Sequence, residues 1–245
     1  MEIAMMQTLD QARRRAVTAL ILIVPAQSLG VAAMLLALQG PIGLSINLLS
    51  RVWMVLFPLL WTLRIERRKP LLKWPSLSGI VAGIVTGIIM MLVMLGCYGL
   101  VADQMDLTQI RNRAQQTGFD NPVQFAAMFG FIILLNSLLE EFVWRWFVFR
   151  NLETLIPRRM GQYVRQGIAV GLSALAFSIH HVVALSAWVG GGLVILGSVG
   201  VFLGAVVWSA LYAYDRTLWP SYVSHIFADV AIVIIGYDVL FRPSM

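Results

Sequence analysis

The sequence predicts an all-α membrane protein, a polytopic bundle of about seven (six to eight) transmembrane helices. Three observations carry this. Of the 245 residues, 59% are hydrophobic and only 12% charged, with a mean hydropathy of +0.81. Soluble domains carry about 25% charged residues, so too little polar surface is available to cover a globule in water, and lipid must solvate much of the chain. Second, apolar runs of about 20 residues recur, each long enough to cross a hydrocarbon core of about 30 Å. Third, the basic residues fall in short runs between those spans. That pattern sets aside nucleic acid as the reason for the net charge of +6.

The spans are placed at about 16–39, 43–63, 77–101, 123–149, 166–186, 188–213 and 218–240, with boundaries soft by a few residues. The first is as long as a full crossing and lacks a small-residue cleavage site, so it reads as a retained helix rather than a signal peptide. The second is the weakest, because Asn47, Ser50 and Arg51 interrupt it. In the third, Gly83 and Gly87 form a G-x-x-x-G pair, as do Gly200 and Gly204 in the sixth. Such pairs let helix backbones approach closely, and packing within the chain is the favoured reading over a dimer face. The fifth and sixth are divided only by a turn around Gly190, Gly191 and Gly192. Cys97 is the single cysteine, so no internal disulfide or Cys-rich metal site is available. No linker, low-complexity tract or internal repeat divides the chain, and residues 1–245 read as one membrane domain.

Orientation follows from the basic residues. With the N-terminus in the cytoplasm, the inner segments hold Arg13, Arg14 and Arg15, then Arg64, Arg67, Arg68, Lys69 and Lys73. They also hold Arg150, Arg158, Arg159, Arg165 and Arg216. The outer segments hold Arg111, Arg113 and Arg242, and the long outer loop near 102–122 carries Asp103, Asp106 and Asp120. The positive-inside bias therefore predicts a multi-pass protein of the plasma or inner membrane with a cytoplasmic N-terminus. The basic inner loops suit contact with anionic lipid.

Most acids lie in loops or near span ends, but Glu140, Glu141 and Asp229 lie within spans, and so do all three histidines, His180, His181 and His225. An ionisable group at bilayer depth costs several kcal/mol, on the order of 3 by insertion scales, unless it is paired or lines a wet cavity. At about 1.5 Å rise per residue, Glu140 lies roughly 15 Å along its helix from Arg150, His181 about 24 Å from Arg165, and His225 and Asp229 about 14 and 20 Å from Arg216. Three helices thus bring ionisable groups to overlapping depths.

Each of the three segments has an internal logic. In Glu140-Glu141-Phe142-Val143-Trp144-Arg145, Glu141 and Arg145 stand at i,i+4 and can pair, while Glu140 points about 100° away. By itself the segment also reads as an ion-paired helix end with a snorkelling arginine. In Phe177-Ser178-Ile179-His180-His181, Phe177 and His181 share a stripe, and His180 faces elsewhere. A lone buried histidine is more often a satisfied core residue. In His225-Ile226-Phe227-Ala228-Asp229, the histidine and aspartate at i,i+4 can hydrogen-bond, either to fix a tautomer or to glue helices.

In this order and on successive spans, E-E-x-x-x-R, F-x-x-x-H and H-x-x-x-N/D resemble the CPBP family. These are the CAAX protease and bacteriocin-processing membrane proteins, including prenyl endopeptidases of Ras-converting type. The resemblance covers roughly residues 123–240, and the N-terminal spans contribute little to it. It implies a helical membrane fold with a conical polar cavity and a glutamate-dependent peptidase with no required cofactor. By position, it makes Glu140 the general base that activates a water and His181 a holder of that water. His225 with Asp229 would face the scissile carbonyl, and Glu141 with Arg145, backed by Phe177, would shape the site. Asp229 stands where many relatives carry asparagine. An ionised aspartate cannot donate to an oxyanion, so Asp229 is either protonated or acts by orienting His225. A peptide or protein is the implied substrate; its identity, its prenylation and the oligomeric state stay open. Three alternatives remain: a zinc peptidase holding its metal with two histidines and a carboxylate drawn from three helices, a proton-coupled transporter, and a non-catalytic scaffold.

Overall fold

The computed structural model describes residues 2–38, 40–69, 73–105, 107–117 and 119–241. Asp106 and Arg242, both assigned above to the outer face, lie outside these residues. Among the described residues the chain is helical throughout, with no strands. Helix α1 (Glu2–Ala32) runs on into a π-helical turn, Ala33–Ala37, and α2 (Pro41–Leu60) into another, Trp61–Ile65. Helix α3 is Leu77–Val101 and α4 is Leu107–Thr117. A single long span, α5, covers Pro122–Leu155. It is followed by α6 (Gln162–Ser186), α7 (Gly191–Asp215) and α8 (Trp219–Phe241). Seven of these, all but α4, are long and apolar enough to cross a membrane.

Helix starts and stops follow local chemistry. Asn121 caps α5 by accepting from the backbone N–H groups of Val123 and Gln124, and Pro122 fills the first position, where no intrahelical N–H bond is needed. Ser76 caps α3 by accepting from Gly79 N at 2.9 Å. Asp215, at the end of α7, in turn accepts from the Ser76 backbone N–H and hydroxyl. Helix α7 stops at Arg216, in the left-handed region at φ +57°. The Arg216 guanidinium makes two bonds to the Glu153 carboxylate, at 2.8 and 2.9 Å, and these hold its proton more tightly than usual. The Gly190–Gly192 turn leaves Gly191 at φ +53°, a conformation glycine adopts without steric cost.

In lipid, helices gain little from leaving water and associate through close packing and internal polar bonds. Helix α3 packs along α8, α6 along α7, and α1 along α2 and α6. The α3–α8 approach runs along a glycine stripe. A Cβ at Gly83 would lie 2.4 Å from Pro220 O, and one at Gly87 would lie 2.6 Å from the Phe227 ring. This pair therefore serves packing within the chain. The second pair does not act as one: Gly204 lies against Met90 and Trp208, but a Cβ at Gly200 meets open space.

The segment between α3 and α5 carries a helix of its own. Its helix α4 places Arg111 Nε on Val239 O (3.0 Å) and Arg113 Nη2 on Leu35 O (3.1 Å). These arginines supply donors to the late carbonyls of α8 and of the π-helical end of α1.

The core lies around the C-terminal half of α5. Val143, Trp144, Phe147, Val148 and Phe149 are buried there and packed by Phe177 of α6, Trp208 of α7 and Ala228 of α8. A stretch apolar nearly all round its circumference is one enclosed by other helices. The aliphatic residues of the outer surface, such as Ile21, Leu29, Ile42 and Leu92, face outward as lipid-exposed side chains should.

Candidate active site

Within α5, Glu140 and Glu141 sit on a short α-helical stretch, Ser137–Glu141, between two π-helical segments, Ile132–Asn136 and Phe142–Phe149. Such wide turns are uncommon and recur at functional sites. Two serine hydroxyls bond carbonyls of these segments: Ser137 Oγ to Ile132 O at 2.7 Å, and Ser173 Oγ of α6 to Trp144 O at 3.1 Å.

The two glutamates face different company. Glu141 is wholly buried. Its Oε2 lies 3.2 Å from Arg145 Nε, and its Oε1 accepts from His225 Nδ1 at 2.9 Å. The Arg145 guanidinium is buried as well, set over the rings of Phe177 (4.8 Å) and Trp208 (5.5 Å), whose π faces favour a cation. Glu140 meets two amides and two histidines. Its Oε1 accepts from Gln27 Nε2 and Asn136 Nδ2, both at 3.0 Å, and lies 3.8 Å from His180 Nε2. Its Oε2 lies 3.9 Å from His225 Nε2.

The histidines are set by rings. His225 stacks on Trp208 with centroids 3.8 Å apart, and His180 stacks on Trp144 at 5.7 Å. His181 leans on Phe177 (4.5 Å), with its Nδ1 3.4 Å from Phe177 O. The Asp229 carboxyl shares a hydrogen bond with the Ser137 hydroxyl, and its other oxygen lies 3.9 Å from His225 Nε2.

The structure therefore brings together all seven residues singled out by the motifs: Glu140, Glu141, Arg145, Phe177, His181, His225 and Asp229. Two expectations are corrected. Asp229 does not hydrogen-bond His225; Glu141 takes the imidazole Nδ1, and Asp229 is held by Ser137. His180 does not face elsewhere: its ring stacks on Trp144 and its Nε2 lies 3.8 Å from Glu140 Oε1. The N-terminal spans, which lie outside the resemblance, also reach the site. Gln27 of α1 bonds Glu140 directly, and Arg51 of α2 bonds Asn136 Oδ1 at 2.6 Å. The polar interruption that weakened the second span is thus a contact to the site helix.

Metal donors are also present. Glu140, His180 and His181 each offer a ligand atom, all within 4.8 Å of one another. Two imidazoles and one carboxylate are a zinc-type set, and here they come from two helices rather than three. Against this, Oε1 of Glu140, the oxygen nearest His180, already accepts two amide hydrogens.

Residues 122–231 match the sequence model of a family described as type II CAAX prenyl endopeptidase Rce1-like. This part of the chain is thus similar to the CAAX protease family that the motifs resemble. The Rce1-like segment takes in α5, α6, α7 and the first half of α8, and so every residue of the three motifs. No match was found among curated proteins or among solved structures.

Proposed function

We propose that the chain is an intramembrane endopeptidase that hydrolyses a peptide bond of a peptide or membrane-associated protein, with a CAAX-type C-terminus as the substrate class, using a water activated by Glu140. The Rce1-like family is one of peptidases. The observation that carries the reading is the asymmetry of the Glu140 carboxylate. One oxygen is anchored by two amide donors. The other faces His225 Nε2 across 3.9 Å, longer than a direct hydrogen bond and short enough for one water to bond both groups.

In the reaction, Glu140 Oε2 takes a proton from the water as its oxygen adds to the scissile carbonyl carbon. The same proton is then delivered to the departing amine as the C–N bond breaks, and Glu140 returns to its starting form. His181, with His180, holds the water on the α6 side. The Nδ1–H of His225 is donated to the Glu141 carboxylate, which leaves Nε2 turned to the site. As an imidazolium, that atom donates to the oxyanion, a contribution of about 3 kcal/mol for a well-placed donor. Glu141 and Arg145 fix the His225 ring and neutralise one another.

Asp229 enters as a proton-bearing group. The Ser137 hydroxyl has one hydrogen and stands against two acceptors, Ile132 O and Asp229 Oδ2. Both bonds form together only when the Asp229 carboxyl carries a proton and donates to Ser137. A neutral carboxyl at this position does the work of the asparagine amide found in relatives.

A metal-assisted reading is favoured by one observation, the Glu140–His180–His181 trio. A zinc ion held there would supply a water of lowered pKa.

A single assay separates the two. Wild type and Glu140→Gln, solubilised in detergent, are offered a mixture of prenylated and unprenylated CAAX peptides with and without chelator. The glutamate reading expects cutting by wild type in chelator and loss of cutting in the variant. Loss of wild-type cutting on chelation, restored by zinc, replaces it with the metal reading. Equal cutting by both proteins removes Glu140 from the chemistry.

A further inference from the structure

We infer that Gln27 of α1, Asn136 of α5 and Arg51 of α2 form a positioning relay for the Glu140 carboxylate, so that the two N-terminal helices are part of the catalytic apparatus. This rests on the reading of Glu140 as the base. Gln27 and Arg51 lie outside the Rce1-like segment, and no motif in that segment points to them.

The relay is a chain of bonds whose polarity is fixed at its outer ends. The indole N–H of Trp144 donates to Gln27 Oε1 at 3.3 Å, and the Arg51 guanidinium donates to Asn136 Oδ1 at 2.6 Å. Indole and guanidinium are donors only. Each therefore claims the carbonyl side of an amide and turns its NH2 side to Glu140. The orientation of both amides follows from these partners rather than from an arbitrary flip. Both NH2 groups then converge on one oxygen, Oε1, at 3.0 Å each.

Two donors on Oε1, one from α1 and one from the preceding turn of α5, define the plane of the carboxylate. Oε2 is left toward His225. Without the relay the side chain is free to rotate about its last bond, a broad and soft torsion for glutamate, and the basic oxygen loses its address. Gln27 is itself buried. An amide inside a span is costly unless its bonds are made, and every bond Gln27 makes here serves the Glu140 side of α5.

The test compares wild type, Gln27→Met, Asn136→Leu and Glu140→Gln. Methionine keeps the length and volume of glutamine without its donors. Cleavage is followed as kcat and KM, with melting temperatures taken on the same preparations. In parallel, labelling of Glu140 by a hydrophobic carbodiimide is quantified by mass spectrometry. The relay requires Gln27→Met to lower kcat about 10- to 100-fold, as misplacement of a catalytic group does. KM should stay within a factor of about two, and Glu140 labelling should rise several-fold as Oε1 loses a donor. Unchanged kcat and unchanged labelling in Gln27→Met, with Glu140→Gln inactive, overturns the relay and leaves the base assignment standing. Cutting by Glu140→Gln overturns the base assignment and the relay with it. A loss of kcat that follows a fall in melting temperature, with labelling unmoved, makes Gln27 a packing residue and also overturns the relay. Labelling is read whether or not a peptide in the mixture is cut, so the geometry is tested in either case.

Discussion

Glu140 and Glu141 are chain neighbours at nearly the same depth on one helix, yet they sit in opposite electrostatic settings. Glu141 is fully buried against a buried guanidinium and an imidazole, with both oxygens committed. Among the described residues no lysine or arginine makes an ion pair with Glu140. Its partners are two neutral amides on one oxygen and imidazoles at 3.8 and 3.9 Å. The 100° step of the helix produces the difference: one side chain turns to Arg145 and the Nδ1 side of His225, the other to Gln27 of α1 and His180 of α6. Identity of residue type says little about role here; the partners assign it. A carboxylate locked in an ion pair cannot exchange protons without dismantling the pair, whereas one held by amides has an oxygen left over for a water.

The contrast can be broken in a graded way. The largest effect belongs to Glu140→Gln, which removes a general base worth about 10²- to 10⁴-fold while leaving the Gln27 and Asn136 amides an oxygen to bond. Cleavage should fall by that amount with the melting temperature nearly unchanged. Next is Arg145→Met. It strips the partner from a fully buried Glu141 and should cost about 3–5 kcal/mol of stability in unfolding by denaturant. Activity would fall only as far as folded protein is lost. The smallest effect belongs to Asp229→Asn. If Asp229 is a neutral donor to Ser137, asparagine replaces it with kcat within roughly fivefold, about 1 kcal/mol. A loss of a hundredfold would instead mean that a charged Asp229 matters to His225.

Much of this site was legible in the sequence, and the boundary of what was legible is physical. Glu140, His181, His225 and Asp229 stand out because an ionisable residue inside an apolar span is expensive and needs a reason. The i,i+4 spacing of Glu141 and Arg145 predicts their pairing, and they do pair. The spacing of His225 and Asp229 predicts a bond that is not made. Glu141, from another helix, reaches the imidazole first, and no rule of spacing along one helix foresees a competitor from a second. Gln27 and Asn136 escaped notice because neutral amides are far less costly in a span and carry no pattern. The available signal was a lone amide within an apolar span. Arg51 was seen only as an interruption of the second span, because its partner lies 85 residues away. The π-helical segments flanking the glutamates leave no mark in hydrophobic periodicity, since almost every residue from Phe142 to Phe149 is apolar.

The most direct test of the central claim sets Glu140→Gln beside Glu141→Gln, measuring kcat and melting temperature for both. The account predicts a dissociation. Glu140→Gln should lose cleavage and keep its melting temperature. Glu141→Gln keeps an acceptor for His225 but leaves the Arg145 charge buried without a counter-ion, so it should melt several degrees lower while the surviving folded protein still cuts. The reverse pattern, with Glu140→Gln active but unstable and Glu141→Gln folded but inert, would place the base at Glu141 and contradict the assignment.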